Sequence, residues 1–304
     1  SGEYVFAFED GFSFYDPRSG RRLRITKDFE PGSRTRLNDG CVDCEGRFVV
    51  GGHVEKGDDL TGVYRLNADL SVEQLLQGVR CSNSICFARD GPGAMFFADT
   101  MKPSPEIWHW PDYARSGMSS VPEVFVQPEG KPDGSTIDAE GCLWNAEFGN
   151  GRIVRYRPDG TVDAVVRVPV PYTTCIAFGG ADLRTMYITD CSVKRLSKKK
   201  LEEYPAGYPG GLFRVRLPVA GLPAHRFKGS SAQAAAAALP IASPSAREAA
   251  SFPLLVAAAA SDSPQSPTLE AAPAEEELAG DFLEKMIAYY ALSATDPSRP
   301  SWSG

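Results

Sequence analysis

The feature that most limits how this chain can fold is a turn-and-strand unit that returns every 44 to 48 residues. Asp43-Cys44-Glu45-Gly46 precedes the run Arg47-Phe48-Val49-Val50, and Asp138-Ala139-Glu140-Gly141 precedes Cys142-Leu143-Trp144. Looser copies are Asp90-Gly91-Pro92-Gly93 before Ala94-Met95-Phe96-Phe97, and Gly180-Ala181-Asp182-Leu183 before Met186-Tyr187-Ile188. Counted on Asp43, Asp90, Asp138 and Asp182, the steps are 47, 48 and 44 residues. Each unit then supplies another short apolar strand, at 62–66, 107–110, 153–156 and 211–215, and most supply a fourth, such as 164–168 after the turn Pro158-Asp159-Gly160. About four short strands in roughly 45 residues is the blade period of a β-propeller, whereas stacked sandwiches need no repeat at this spacing. Segments 4–8, 11–15 and 22–26 read as the last strands of a preceding blade, so about five blades are expected.

Composition sets the outer limits. The 29 Gly and 24 Pro in 304 residues suit many turns and short strands. A net charge of −7 offers no basic field for a polynucleotide, so no nucleic-acid partner is expected. No apolar run approaches about 20 residues, so no membrane partner is expected, and no signal-peptide pattern opens the chain. Seven cysteines, an odd number without framework spacing, read as reduced thiols of a cytoplasmic protein. Cys41-x-x-Cys44 has no second pair at zinc spacing, and His53, His109 and His225 are scattered, so buried small side chains explain the cysteines better than metal does.

The pattern changes after Gly229. Residues 1–229 form the expected propeller. Residues 230–274 are dominated by Ala, Ser and Pro and bury too little apolar surface to offset their ordering entropy, so a disordered linker is expected. In 275–292, Leu278, Phe282, Met286 and Tyr290 recur every four residues, which predicts a short amphipathic helix; 293–304 is expected to be a disordered end.

The innermost strand of each propeller blade lines a central channel, so residues far apart in sequence converge there. Asn38 lies five residues before Asp43, Asn83 seven before Asp90, and Asp133 five before Asp138. Tyr172, Thr173 and Thr174 hold the comparable place in the fourth unit. Asn and Asp often cap turns. Three polar oxygens in phase instead read as a ring of hard ligands for Ca²⁺, Mg²⁺ or Mn²⁺. Arg36, two residues before Asn38, shares its face along an extended strand and suits an oxygen-rich ligand.

Several motifs now carry a resemblance. Arg36-Leu37-Asn38-Asp39-Gly40-Cys41-Val42-Asp43, Ser82-Asn83-Ser84, Pro132-Asp133-Gly134 with Ile137 to Trp144, and Ala177-Phe178-Gly179-Gly180-Ala181 with Met186-Tyr187-Ile188-Thr189 occur in order across residues 2–229. This set resembles the regucalcin (senescence marker protein)/gluconolactonase family. The resemblance implies an all-β, six-bladed propeller, here N-terminally incomplete, that binds a divalent cation (Ca, Zn, Mn or Mg) and hydrolyses sugar lactones. It implies Asn83 and Asp133 as metal ligands, Asp133 also as general base, and Arg36, Asn38 and Glu55 as substrate contacts. No Gly-Glu-x-Pro motif supplies the family's third metal ligand, Glu3 being followed by a later-strand pattern. Ser84 stands where the family has Gly, and Cys44 where it has Pro. The function expected is therefore a metal-dependent sugar-lactone hydrolase. The alternative is a non-catalytic calcium- or small-ligand-binding propeller, inactive for want of that Glu.

Overall fold

The computed structural model describes residues 4–26, 34–88, 93–191, 202, 210–237 and 270–271. The chain lays down sheets in strict sequence order, each an antiparallel meander. The first sheet is β1 (Tyr4–Phe8), β2 (Gly11–Asp16) and β3 (Arg21–Arg24). The second is β4 (Thr35–Val42), β5 (Phe48–Val54), β6 (Thr61–Leu66) and β7 (Val72–Val79). The third is β8 (Ser82–Phe87), β9 (Met95–Asp99), β10 (Ile107–Trp110) and β11 (Glu123–Val126), with helix α1 (Tyr113–Ser116) before its last strand. The fourth is β12 (Lys131–Ile137), β13 (Leu143–Phe148), β14 (Arg152–Tyr156) and β15 (Val162–Arg167). The fifth is β16 (Thr173–Gly179), β17 (Thr185–Asp190), β18 (Leu212–Arg216) and the two-residue β19 (Glu270–Ala271).

The first strand of each sheet touches the first strand of the next: β1 meets β4, β4 meets β8, β8 meets β12 and β12 meets β16. This is a β-propeller with inner strands side by side and five blades among the described residues. A sixth blade is not among them. Helix α2 (Ser231–Ala237) packs near β3, within the segment expected to be a disordered linker. The expected helix at 275–292, the end at 293–304, Glu3 and turn residues 90–92 lie outside the described residues.

Period two explains why strands within the blades are apolar on both faces. In β9, Met95 and Phe97 pack toward the second blade, against Val49 and Val63, and beside Trp110 of their own blade. Phe96 and Ala98 pack toward the fourth blade with Ile137, Leu143 and Tyr156. The same division puts Phe12, Leu37 and Phe48 between the first two blades, and Trp144, Ile153, Phe178 and Ile188 between the last two. Each interface between described blades thus holds an apolar cluster, and the polar residues of the inner strands gather at bulges and strand ends.

The repeated Asp is a turn hub. Asp43 Oδ1 accepts from the amides of Glu45 (3.0 Å) and Arg47 (2.9 Å), and Asp138 Oδ1 accepts from Glu140 (2.9 Å) and Cys142 (3.0 Å). Gly46 and Gly141 close these turns at φ of 80° and 77°, a left-handed geometry that favours glycine. The looser copies phase differently from the sequence reading. Ala88, not Asp90, stands where Asp43 and Asp138 stand, because its amide bonds Ala94 across the hairpin as theirs bond Arg47 and Cys142. Gly180, not Asp182, begins the last turn, with Leu183 at φ 55° in the place of Gly46 and Gly141.

Candidate functional site

Each of the four inner strands β4, β8, β12 and β16 breaks register at one place. Asn38-Asp39 lies between the pairs Leu37↔Gly52 and Gly40↔Val50. Ser84-Ile85, Asp133-Gly134 and Thr174-Cys175 sit in the matching gaps of β8, β12 and β16. Two residues therefore oppose one on the partner strand, a β-bulge. Bulges re-aim side chains and free them from the ladder, and the candidate residues cluster at these points.

The bulges bring one continuous polar run together. Glu55 Oε1 accepts from Arg36 Nε at 2.8 Å, and Arg36 Nη1 donates to Asn38 Oδ1 at 2.7 Å. Asn38 Nδ2 donates to the Ser82 carbonyl at 2.9 Å and lies 3.2 Å from the near amide atom of Asn83. That same atom lies 3.1 Å from Asp133 Oδ1. The far amide atom of Asn83 is 2.8 Å from Thr100 Oγ1, and the Thr100 hydroxyl is 2.6 Å from the Pro132 carbonyl oxygen, to which it donates. Five residues named from sequence thus meet across three blades. Asn83 and Asp133 are buried, at 3% and 7% exposure, while Arg36 and Glu55 keep part of their side chains open. The comparable residues of the fourth unit are engaged elsewhere: Thr174 bonds Thr189, Thr173 bonds the Glu147 carbonyl, and Tyr172 packs on Phe148.

Gly134 explains how β12 comes close enough. A Cβ there would meet Cys175 Sγ at 2.7 Å and Cys175 Cα at 2.9 Å. Only glycine lets the Asp133 bulge lie flat against β16.

The donor set decides what the site can hold. With its nitrogen toward Asp133, the Asn83 amide donates to that carboxylate and to the Ser82 carbonyl at 3.0 Å, and its oxygen lies 2.8 Å from Thr100 Oγ1. With its oxygen toward Asp133, that oxygen accepts from Asn38, and amide, carboxylate and carbonyl oxygens share one corner. Hard oxygen donors of this kind fit Ca²⁺, Mg²⁺ or Mn²⁺. Among the described residues no three His, Cys, Asp or Glu side chains gather for a metal, and Asp133 is the carboxylate beside the Asn83 amide.

Other titratable groups have different roles. Burial, and then the nearby Asp133 charge, push the Cys81 thiol up to about 12, so this cysteine beside Asn83 stays protonated and is no nucleophile. Burial raises Asp39 to about 7, against the lowering effect of hydrogen bonds from the amides of Ile85 and Gly40. His109 stacks on Phe96 at 4.7 Å, and burial lowers its pKa.

Thr100, Ser84 and Asn145 also belong to this centre, though the motifs did not single them out as functional. Thr100 and Ser84 contact the backbone of the β12 bulge, and Asn145 Nδ2 reaches Ser84 Oγ at 3.1 Å. The one sequence sign was Ser84 in a place where glycine is usual for the resembling family.

Fold and site together define a propeller whose inner-strand bulges converge on an amide–carboxylate centre flanked by an Arg–Glu pair. A family model described as the SMP-30/gluconolactonase/LRE-like region matches residues 1–192, and the chain belongs to this family. It is 39% identical over 225 residues to the L-arabinolactonase of Azospirillum brasilense, covering 72% of each chain. It is 31% identical to the 6-deoxy-6-sulfogluconolactonase of Pseudomonas putida, covering 75% of this chain and 78% of the relative. Among solved structures it resembles a calcium-binding regucalcin from Agrobacterium tumefaciens, with a TM-score of 0.66, 29% identity, and 75% and 76% of the two chains covered. No helix among the described residues is long and apolar enough to cross a membrane.

Proposed function

We propose that this protein hydrolyses the ring ester of sugar lactones, with Asp133 as general base. The observation that carries this reading is the succession of polar side chains from Glu55 through Arg36, Asn38 and Asn83 to Asp133, in which the Asn83 amide bonds Asn38 or Asp133 according to its orientation. It places a proton acceptor at one end and hydroxyl-binding groups at the other. The lactonase relatives, similar over most of the chain, support the same chemistry.

Asn83 and Asp133 are the residues that would hold a divalent cation. When bound, such an ion would supply Lewis acidity at the ester carbonyl. Asp133 takes a proton from the attacking water. Water oxygen bonds the carbonyl carbon, the ring C–O bond breaks, and the released alkoxide picks up the proton. Arg36, oriented by Glu55, donates to sugar hydroxyls and to developing negative charge. Asn38 fixes both Arg36 and Asn83. Cys81 is held neutral and His109 is stacked away on Phe96, so attack by water fits the site better than an acyl-enzyme.

The test is hydrolysis of gluconolactone and arabinolactone by the full chain with Mn²⁺ or Ca²⁺, before and after chelation, beside Asp133→Asn. Activity that needs the metal and falls in the variant is the expected result. Full turnover in chelator, or in the variant, would overturn it. Tight metal binding without turnover would point to a ligand-binding propeller instead.

A further inference from the structure

Ser84 occupies in β8 the first bulge position that Asn38 holds in β4 and Asp133 in β12. It alone of these three lies in the left-handed region, at φ 59°. A side chain there crowds its own backbone, which glycine avoids. Two other non-glycine residues share a positive φ among the described residues, Leu70 and Leu183, but Ser84 is the one at 0% exposure. Strain of this kind persists only where the surroundings hold it.

Three blades supply that hold. Ser84 Oγ donates to the Asp133 carbonyl oxygen at 2.8 Å and accepts from Asn145 Nδ2 at 3.1 Å. The left-handed turn at Ser84 sends the next amide, Ile85 N, to Asp39 Oδ2 at 2.8 Å. Asn145, also 0% exposed, reaches the Asp133 carbonyl (3.3 Å) and Ser135 Oγ (2.9 Å) with the same nitrogen. Its Oδ1 is buried without a hydrogen-bond partner among the described residues. A fully buried amide that leaves its acceptor unpaired is costly. Its two amide hydrogens are shared among Ser84 Oγ, the Asp133 carbonyl and Ser135 Oγ, so they bridge β8 and β12.

We propose that Ser84, braced by Asn145, is the positioning residue of the Asn83–Asp133 pair. Its strained backbone presents Asn83 from β8, and its hydroxyl clamps the β12 bulge that carries Asp133. The bridge thereby sets the distance between amide and carboxylate. This rests on reading Asn83 and Asp133 as the cation-holding pair.

The test compares Ser84→Gly and Ser84→Ala with wild type in the full chain. The measurements are Mn²⁺ affinity by calorimetry, the pH profile of kcat, and Tm. Both variants are expected to lose about tenfold or more in Mn²⁺ affinity, the usual scale for groups that orient metal ligands. kcat is expected to fall more than KM changes, and the acid limb of the profile to move. Ser84→Gly, relieved of strain, is expected to melt no lower than Ser84→Ala, so lost affinity does not follow lost stability. A Ser84→Gly protein with wild-type Mn²⁺ affinity and an unmoved acid limb would overturn the proposal. If wild type binds Mn²⁺ but opens no lactone, the hydrolase reading falls while the affinities still decide on Ser84. If wild type binds no Mn²⁺, hydrogen exchange of residues 131–137 decides: faster exchange in Ser84→Gly supports the clamp, and equal exchange overturns it.

Discussion

Asp133 and Asp138 stand five residues apart at the two ends of one inner strand, both buried, at 7% and 0% exposure. Their surroundings differ in kind. Asp138 is ringed by donors: the amides of Glu140 and Cys142 on one oxygen, and Trp144 Nε1 (2.8 Å) and Arg155 Nε (2.7 Å) on the other. Asp133 faces the Asn83 amide across 3.1 Å, on a bulge whose carbonyl is clamped by Ser84. A carboxylate saturated by its own hairpin holds a fold together. A carboxylate set against a neighbouring blade's amide, with its backbone carbonyl bonded from that same blade, joins two blades. The turn Asp recurs in two hairpins, at Asp43 and Asp138, with Ala88 and Gly180 in its place in the other two, and the bulge end varies because each blade contributes a different donor.

That contrast can be broken by experiment. The largest effect is expected at the bulge end. Asp133→Asn should lower kcat/KM by about 10²- to 10⁴-fold, the range for losing a general base, with Tm close to wild type. A large loss of stability would mean that Asp133 resembles Asp138 after all. Asp138→Ala should do the reverse. It leaves Arg155, whose side chain is 9% exposed, short of its buried partner, at a cost of about 3–5 kcal/mol by urea unfolding. The fraction still folded should keep its kcat.

Gly134→Ala should blur the two ends. Its Cβ has no room beside Cys175, so a cost of about 1–3 kcal/mol is expected together with a fall in kcat, because the displaced strand carries Asp133. Unchanged activity in a destabilised Gly134→Ala would show that the bulge tolerates movement. A further prediction concerns pH. Asp39 has a folded pKa of about 7, raised from 3.8 mainly by burial. A raised carboxyl favours the folded state most below its unfolded pKa, and that advantage is lost as pH rises through about 7. The slope should be on the order of a few kcal/mol between pH 4 and 8, and Asp39→Asn should flatten it in denaturation curves at each pH. An equal slope in the variant would place the titration elsewhere.

The sequence showed the blades because hairpin chemistry is local. Asp43 and Asp138 bond amides two and four residues ahead, so their spacing displays the period directly. Arg36 and Asn38 shared a face for an equally local reason, the two-residue period of a strand. Phase was less secure. Measured from Asp90, Asn83 lies seven residues from the turn. Measured from Ala88, where the hairpin after β8 begins, it lies five, as Asn38 and Asp133 do from theirs. The longer loop of that hairpin displaced the visible Asp-Gly signal from the start of the turn.

What the chain determined by itself was the repeat, the short-strand architecture and the offset that singled out Asn38, Asn83 and Asp133, all set by interactions within one hairpin. What only the tertiary structure decided was how those residues meet. Ser84 finds Asp133 across 49 residues, Asn145 finds Ser84 across 61, and Thr100 finds Pro132 across 32. Such contacts depend on where a bulge falls in each inner strand and on how closely Gly134 lets two strands approach. Strand register and the stacking of separate sheets settle these distances, and no single segment contains them.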